Sequence, residues 1–204
     1  MTDKNRSLHN IDLISDVVII SILPVLAVLL LSIPFLLISK ESQTNPLLQT
    51  LFVLPLAFIA FPNIYLRKRH KKPVKIYDRY PTKLELLIYI LGIVTVYIRV
   101  SLVSEINAIL FVSAQMLIVS ISEEYWARGC LIWLFNKCGF KSITIVIISS
   151  LIFTFITHMN RGILDNLVYR LPGALVMSTI YFKTKNIKNS IMFHFIYNLY
   201  FAFY

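Results

Sequence analysis

Residues 17–38, VVIISILPVLAVLLLSIPFLLI, run for 22 positions without one charged side chain. A hydrocarbon core about 30 Å thick is crossed by roughly 20 apolar residues in helical form, so this run predicts a membrane-spanning helix. It is longer than the apolar stretch of a cleaved leader, and no small-residue cleavage site follows it. Pro24 and Pro34 lie inside it, which neighbouring helices accommodate within a bundle. A chain of 204 residues that is 57% hydrophobic and only 15% charged has too little polar surface to cover a water-soluble domain. With five Gly, eight Pro and no polar low-complexity tract, collagen-like and disordered classes are excluded as well. Two cysteines, Cys130 and Cys138, give no disulfide framework.

Six further apolar segments follow, at 47–66, 84–103, 106–135, 142–159, 163–182 and 189–204. The expected fold is therefore all-α, a polytopic transmembrane bundle of about seven spans. Its organisation divides into an N-terminal pair of spans with a basic loop, 1–83, and a second unit, 84–204. The segment from Ile106 to Phe135 is about 45 Å long at 1.5 Å per residue, so it must tilt, kink or project beyond the bilayer. Placing the N-terminus inside and alternating puts fifteen of the 20 basic residues in inside segments, with only Lys40 and Arg161 outside. That asymmetry fits seven spans in a cell membrane with a cytoplasmic N-terminus. The run RKRHKKPVKIYDR, Arg67–Arg79, follows a span directly. It reads as an orientation signal that attracts anionic headgroups of the bilayer, and not as a nucleic-acid site, because aromatic stacking residues are sparse around it.

Ionisable groups inside spans are costly and need a reason, at about 2.5–3.5 kcal/mol each on insertion scales. They gather in the second half of the chain, as Glu123, Glu124 and Arg128 in SEEYWARG, His158 in FTFITHMN, and His194 and Asn198 in HFIYN. Glu124 and Arg128 are spaced i, i+4, share a helix face and are expected to pair. Glu123 points about 100° away and is left to meet another helix. A carboxylate held in an apolar cavity is suited to general-base work. His194 and Asn198 also share a face, where an amide donates to a developing oxyanion. His158 is placed to orient water opposite Glu123. Asp165 and Arg170, five apart, do not share the face of an α-helix well.

These residues resemble a known family. Glu123-Glu124-Tyr-Trp-Ala-Arg128 matches EExxxR and His194-Phe-Ile-Tyr-Asn198 matches HxxxN. With a helix histidine between them, the order is similar to that of the CAAX-protease and bacteriocin-processing (CPBP, or Abi) intramembrane endopeptidases. The resemblance covers roughly residues 84–201, and the first two spans add nothing specific to it. The family's middle motif is FxxxH, whereas Thr154 stands four residues before His158, with Phe153 and Phe155 on either side. The resemblance implies that Glu123 activates water with His158 as its partner. It also implies that Glu124 and Arg128 support them, and that His194 and Asn198 lie on the oxyanion side. One glutamate with two histidines is a donor set that zinc accepts, but no HExxH pair fixes such a site here, so metal is left unassigned.

The expected activity is hydrolysis of a peptide bond near the membrane surface, with a peptide or membrane protein as substrate. The Lys-, Ile- and Asn-rich composition suggests a low-GC bacterium and its plasma membrane. There the resemblance implies bacteriocin self-immunity or peptide-pheromone maturation. Two other classes remain open at this stage. One is a non-catalytic membrane scaffold or immunity partner with the same fold. The other is a small proton-coupled transporter that uses the buried Glu and His as a relay.

Overall fold

The computed structural model describes residues 3–38, 44–71, 74–102 and 104–203, and among these every regular element is helical. Seven rods follow one another: α1 (Asp3–Ile38), α2 (44–70), α3 (Lys83–Ser101), α4 (Ile106–Lys137), α5 (Ser142–Thr157), α6 (163–184) and α7 (Ile187–Ala202). They coincide with the seven expected spans, and the fold is the expected transmembrane helix bundle. Four contain stretches long and apolar enough to cross a bilayer, within α1, α2, α3 and α4. Lys40 and Lys72, counted in the charge asymmetry, lie outside the described residues, as do the side chains of Lys4 and Arg6.

The long rod α4 is the axis. Around it stand α2 and α7, with α5 on α6 and α3 on the outer side of α7. The core is fixed at Trp126, which is fully buried, meets Phe58 edge-on at 5.5 Å and donates its indole N–H to the Ile20 carbonyl at 2.8 Å. That contact binds α1, α2 and α4 together. A second cluster of Val96, Val100, Ile109, Phe195 and Leu199 joins α3, α4 and α7. Large apolar side chains such as Leu30, Leu87, Ile88 and Leu91 face outward. In water they would form an adhesive patch; in a bilayer they are the lipid-facing belt.

Local signals set the rod boundaries. Thr82 and Glu85 form a reciprocal capping box at the start of α3, and the Asn186 side chain accepts the Lys188 N–H at the start of α7. Gly139, at φ +76°, turns the chain between α4 and α5. Three rods contain a π-helical stretch: Leu56–Ala60 in α2, Tyr125–Leu131 in α4 and Asn166–Arg170 in α6. Such stretches are uncommon and often occur at functional sites. The one in α4 begins immediately after Glu124 and contains Arg128.

The basic connection before α3 is more than a loose topological signal. Residues 74–82 run as an extended strap beneath the bundle. Ile76 fits against Gly129, where a Cβ would stand 2.9 Å from the Ile76 Cδ1. Tyr77 donates its N–H to the Tyr181 hydroxyl at 3.2 Å and accepts the Ile187 N–H at 2.9 Å. Arg79 donates to the Thr184 carbonyl at 3.0 Å and pairs with Glu85 at 2.6 Å, while Lys188 pairs with Asp78 at 2.9 Å.

Candidate active site

The site is assembled where α4, α7, α5 and α6 meet. Glu124 is fully buried, and its charge is balanced from two sides. Arg128, one turn along α4, lies 3.0 Å from Oε1, and His194 Nδ1 of α7 is 2.9 Å from the same oxygen. Ser190, one turn before His194 on α7, donates its hydroxyl to Oε2. The Arg128 guanidinium also donates to the Ala174 carbonyl of α6 at 3.0 Å. Its carbon stands 4.7 Å from the centre of the Phe153 ring. Four helices thus converge on one carboxylate–guanidinium pair.

Glu123 occupies a different environment. It is buried, with His194 Nε2 at 3.8 Å from its Oε2, and that oxygen has no hydrogen-bond partner among the described residues. It lines a cavity of about 350 Å³ walled by Val25, Leu29, Phe58, Ile156 and Met159. The apolar wall comes from α1, α2 and α5. The first two spans, which carry nothing of the sequence resemblance, therefore build the space in front of the carboxylate.

His158 ends α5, with φ −122° and ψ 36° taking the backbone out of the helix. The buried Asn166 side chain donates to its carbonyl at 3.1 Å. Its ring meets Phe153 edge-on at 6.0 Å, and Phe153 meets His194 in the same way at 5.8 Å. The displaced aromatic therefore stands between the two histidines. His158 lies on the residue where the helix stops, so an i, i+4 register does not govern which aromatic it meets. Thr154 fills the motif's aromatic position, fully buried and without a hydrogen bond to its hydroxyl among the described residues.

Asn198 lies one turn beyond His194, half-buried, and its side chain makes no hydrogen bond among the described residues. Glu123, Glu124, Arg128 and His194 thus form one contiguous cluster. His158 joins it through Phe153, and Asn198 stays uncommitted. Ser190 and Asn166 also belong to the site and were not singled out in the sequence, while Phe153 was noted there only as flanking the motif's aromatic position.

Asp165 and Arg170 depart from expectation. Arg170 Nε lies 3.5 Å from Asp165 Oδ2 although the residues are five apart. The π-helical stretch between them makes i and i+5 neighbours, which an α-helix would not.

The depths of these groups also agree. From Glu124 to the end of α4 is 13 residues, about 20 Å, whereas His194 is only about 10 Å along α7. The two groups are in contact, so the end of α4 lies farther from the site along its helix than the start of α7 does along its own. Among the described residues no three His, Cys, Asp or Glu side chains are grouped to hold a metal ion. Glu124 is already engaged by Arg128, Ser190 and His194, and His194 Nδ1 by Glu124, so the cluster does not fit a metal centre.

No curated protein and no solved structure matches the chain significantly. Residues 105–200, which contain all six candidate residues, match the family model described as Type II CAAX prenyl endopeptidase Rce1-like, a similarity in line with the family to which EExxxR and HxxxN pointed.

Proposed function

We propose that the protein is an intramembrane endopeptidase in which Glu123 activates water against a peptide bond held in the adjacent apolar cavity. The observation that carries this reading is the contrast between two neighbouring carboxylates. Glu124 is bonded at both oxygens, while Glu123 lines a cavity and keeps one oxygen without a hydrogen bond. A saturated carboxylate is structural, whereas one facing space for a substrate is available for proton transfer.

In this mechanism Glu123 takes a proton from water as the water oxygen bonds to the scissile carbonyl carbon. It then passes that proton to the departing amide nitrogen as the C–N bond breaks. His194, fixed by Glu124 through Nδ1, faces Glu123 with Nε2 and steadies charge there. His158 orients the water, and the Asn198 amide donates to the oxyanion. The apolar cavity wall suits a substrate with hydrophobic residues beside the cleaved bond, delivered from the bilayer. The biological setting proposed with it is bacteriocin self-immunity or peptide-pheromone maturation, which the family resemblance and the composition favour.

Purified wild-type protein and Glu123→Gln, reconstituted in vesicles with a quenched membrane-peptide library, provide the test. Cleavage by wild type and its loss in Glu123→Gln, with unchanged helicity and melting, support the proposal. Equal cleavage by both, or phenotypic rescue of a deletion strain by Glu123→Gln, overturns it and favours a non-catalytic partner.

A further inference from the structure

Arg170 is an arginine inside a span that the proposed mechanism does not use. Its neighbours place it at the level of the candidate site. The short connection 158–162 makes α5 and α6 antiparallel, and the Ser150 and Ser178 hydroxyls meet across them at 3.0 Å. Eight residues further toward that connection, about two turns on each rod, lie His158 and Arg170. From α7 the Tyr197 hydroxyl donates to the Tyr169 carbonyl at 2.7 Å. That bond brings the next residue of each rod, Asn198 and Arg170, to one depth. We infer that Arg170 is a specificity-determining residue whose guanidinium takes a carboxylate of the substrate.

The two arginines of this region differ much as its two glutamates do. The Arg128 side chain is 1% exposed, pairs with Glu124 at 3.0 Å and donates to the Ala174 carbonyl. The Arg170 side chain is 28% exposed, and its counter-charge is Asp165, 3.5 Å from Nε and itself 40% exposed. That nitrogen is buried without a hydrogen-bond partner, and the guanidinium makes no hydrogen bond among the described residues. An exposed ion pair of this length is weak, so an incoming carboxylate displaces it at little cost. The planar fork of a guanidinium meets both oxygens of a carboxylate through parallel N–H···O bonds. The stretch from His158 to Arg170 carries two arginines and one carboxylate, so its charge also draws an anionic group.

The inference rests on the peptidase reading and adds a substrate requirement to it. The carboxylate comes from an acidic side chain near the cleaved bond or from a free C-terminus, and both offer the same two oxygens.

For the test, a peptide that reconstituted full-length protein cleaves is remade in four forms. One pair has Glu or Gln beside the cleaved bond, and the other has a free or an amidated C-terminus. Wild type is expected to favour the carboxylate member of one pair by about 10–100-fold in kcat/KM, the worth of a hydrogen bond to a charged group. Preference within the first pair identifies an acidic side chain, and preference within the second identifies the C-terminus. Arg170→Gln should abolish the preference, with the loss in KM and not in kcat, and Arg170→Lys should restore part of it. Asp165→Asn removes the competing carboxylate and should raise the preference, a readout that stands even if Arg170→Gln does not fold. A preference absent in wild type, retained in folded Arg170→Gln or not raised by Asp165→Asn overturns the inference alone. Absence of cleavage of any peptide by wild type overturns the peptidase reading and this inference with it.

Discussion

His194 and Glu124 are locked ring nitrogen to carboxylate at 2.9 Å, and this contact turns the other ring nitrogen toward Glu123 at 3.8 Å. One imidazole therefore links a carboxylate bonded at both oxygens to one that lines the cavity, and under the proposed function the two glutamates should fail differently when removed. Glu123→Gln should lower kcat by about 10²–10⁴-fold, the usual worth of a general acid–base group, with little change in melting. Glu124→Ala leaves the Arg128 guanidinium buried without its counter-charge, at a cost of about 3–5 kcal/mol. Thermal melts beside peptide turnover separate the two effects.

Ser190 is the least conspicuous member of the cluster. Its hydroxyl bonds a fully buried carboxylate, and hydrogen bonds to charged groups contribute about 1.5–3 kcal/mol. Ser190→Ala should lower unfolding free energy by that amount in denaturant titrations. Ser190→Thr should restore part of the loss by keeping the donor.

Phe153 stands between His158, His194 and the Arg128 guanidinium. Phe153→Ala should cost about 3–5 kcal/mol through the cavity it opens. Phe153→Leu keeps apolar fill, so its loss of turnover should exceed its loss of stability. Measuring kcat and melting on both variants distinguishes ring placement from packing.

A second buried ionic group lies outside the site. Asp16 on α1 is fully buried, accepts the Tyr65 hydroxyl at 2.7 Å and lies 2.9 Å from His70 Nε2 and 3.4 Å from Arg69 Nε. Asp12, four residues earlier, pairs with Arg69 at 2.6 Å but is well exposed. Asp16→Ala should therefore destabilise by about 3–5 kcal/mol and Asp12→Ala by less than about 1 kcal/mol. Unfolding titrations in one detergent provide the comparison.

The spans were legible because apolar length is a property of contiguous residues, and all seven rods fall where hydropathy places them. The Glu124–Arg128 pair was legible too, since i, i+4 spacing is local. Long-range partners were not. Ser190 and Phe153 acquire their roles from helix crossings that no spacing rule encodes. Asp16 escaped notice because it lies just before the charge-free run at residue 17, where it reads as an ordinary flanking charge. Asp165 and Arg170 were read on α-helical geometry, and a π-helical stretch altered their phase. The strap was obscured by its own composition, since a basic, proline-containing stretch reads as solvated whether or not its backbone is engaged.

Rod α5 has 16 residues, about 24 Å of helix against a hydrocarbon core near 30 Å. A rod too short for its bilayer thins the lipid around it. His158 closes the helix at one end, next to residues that line the Glu123 cavity. Lipid thinned at that end would lie over the Glu123 cavity. Under the proposed hydrolysis, water would reach Glu123 through that depression in the lipid, with no aqueous channel through the core of the bundle.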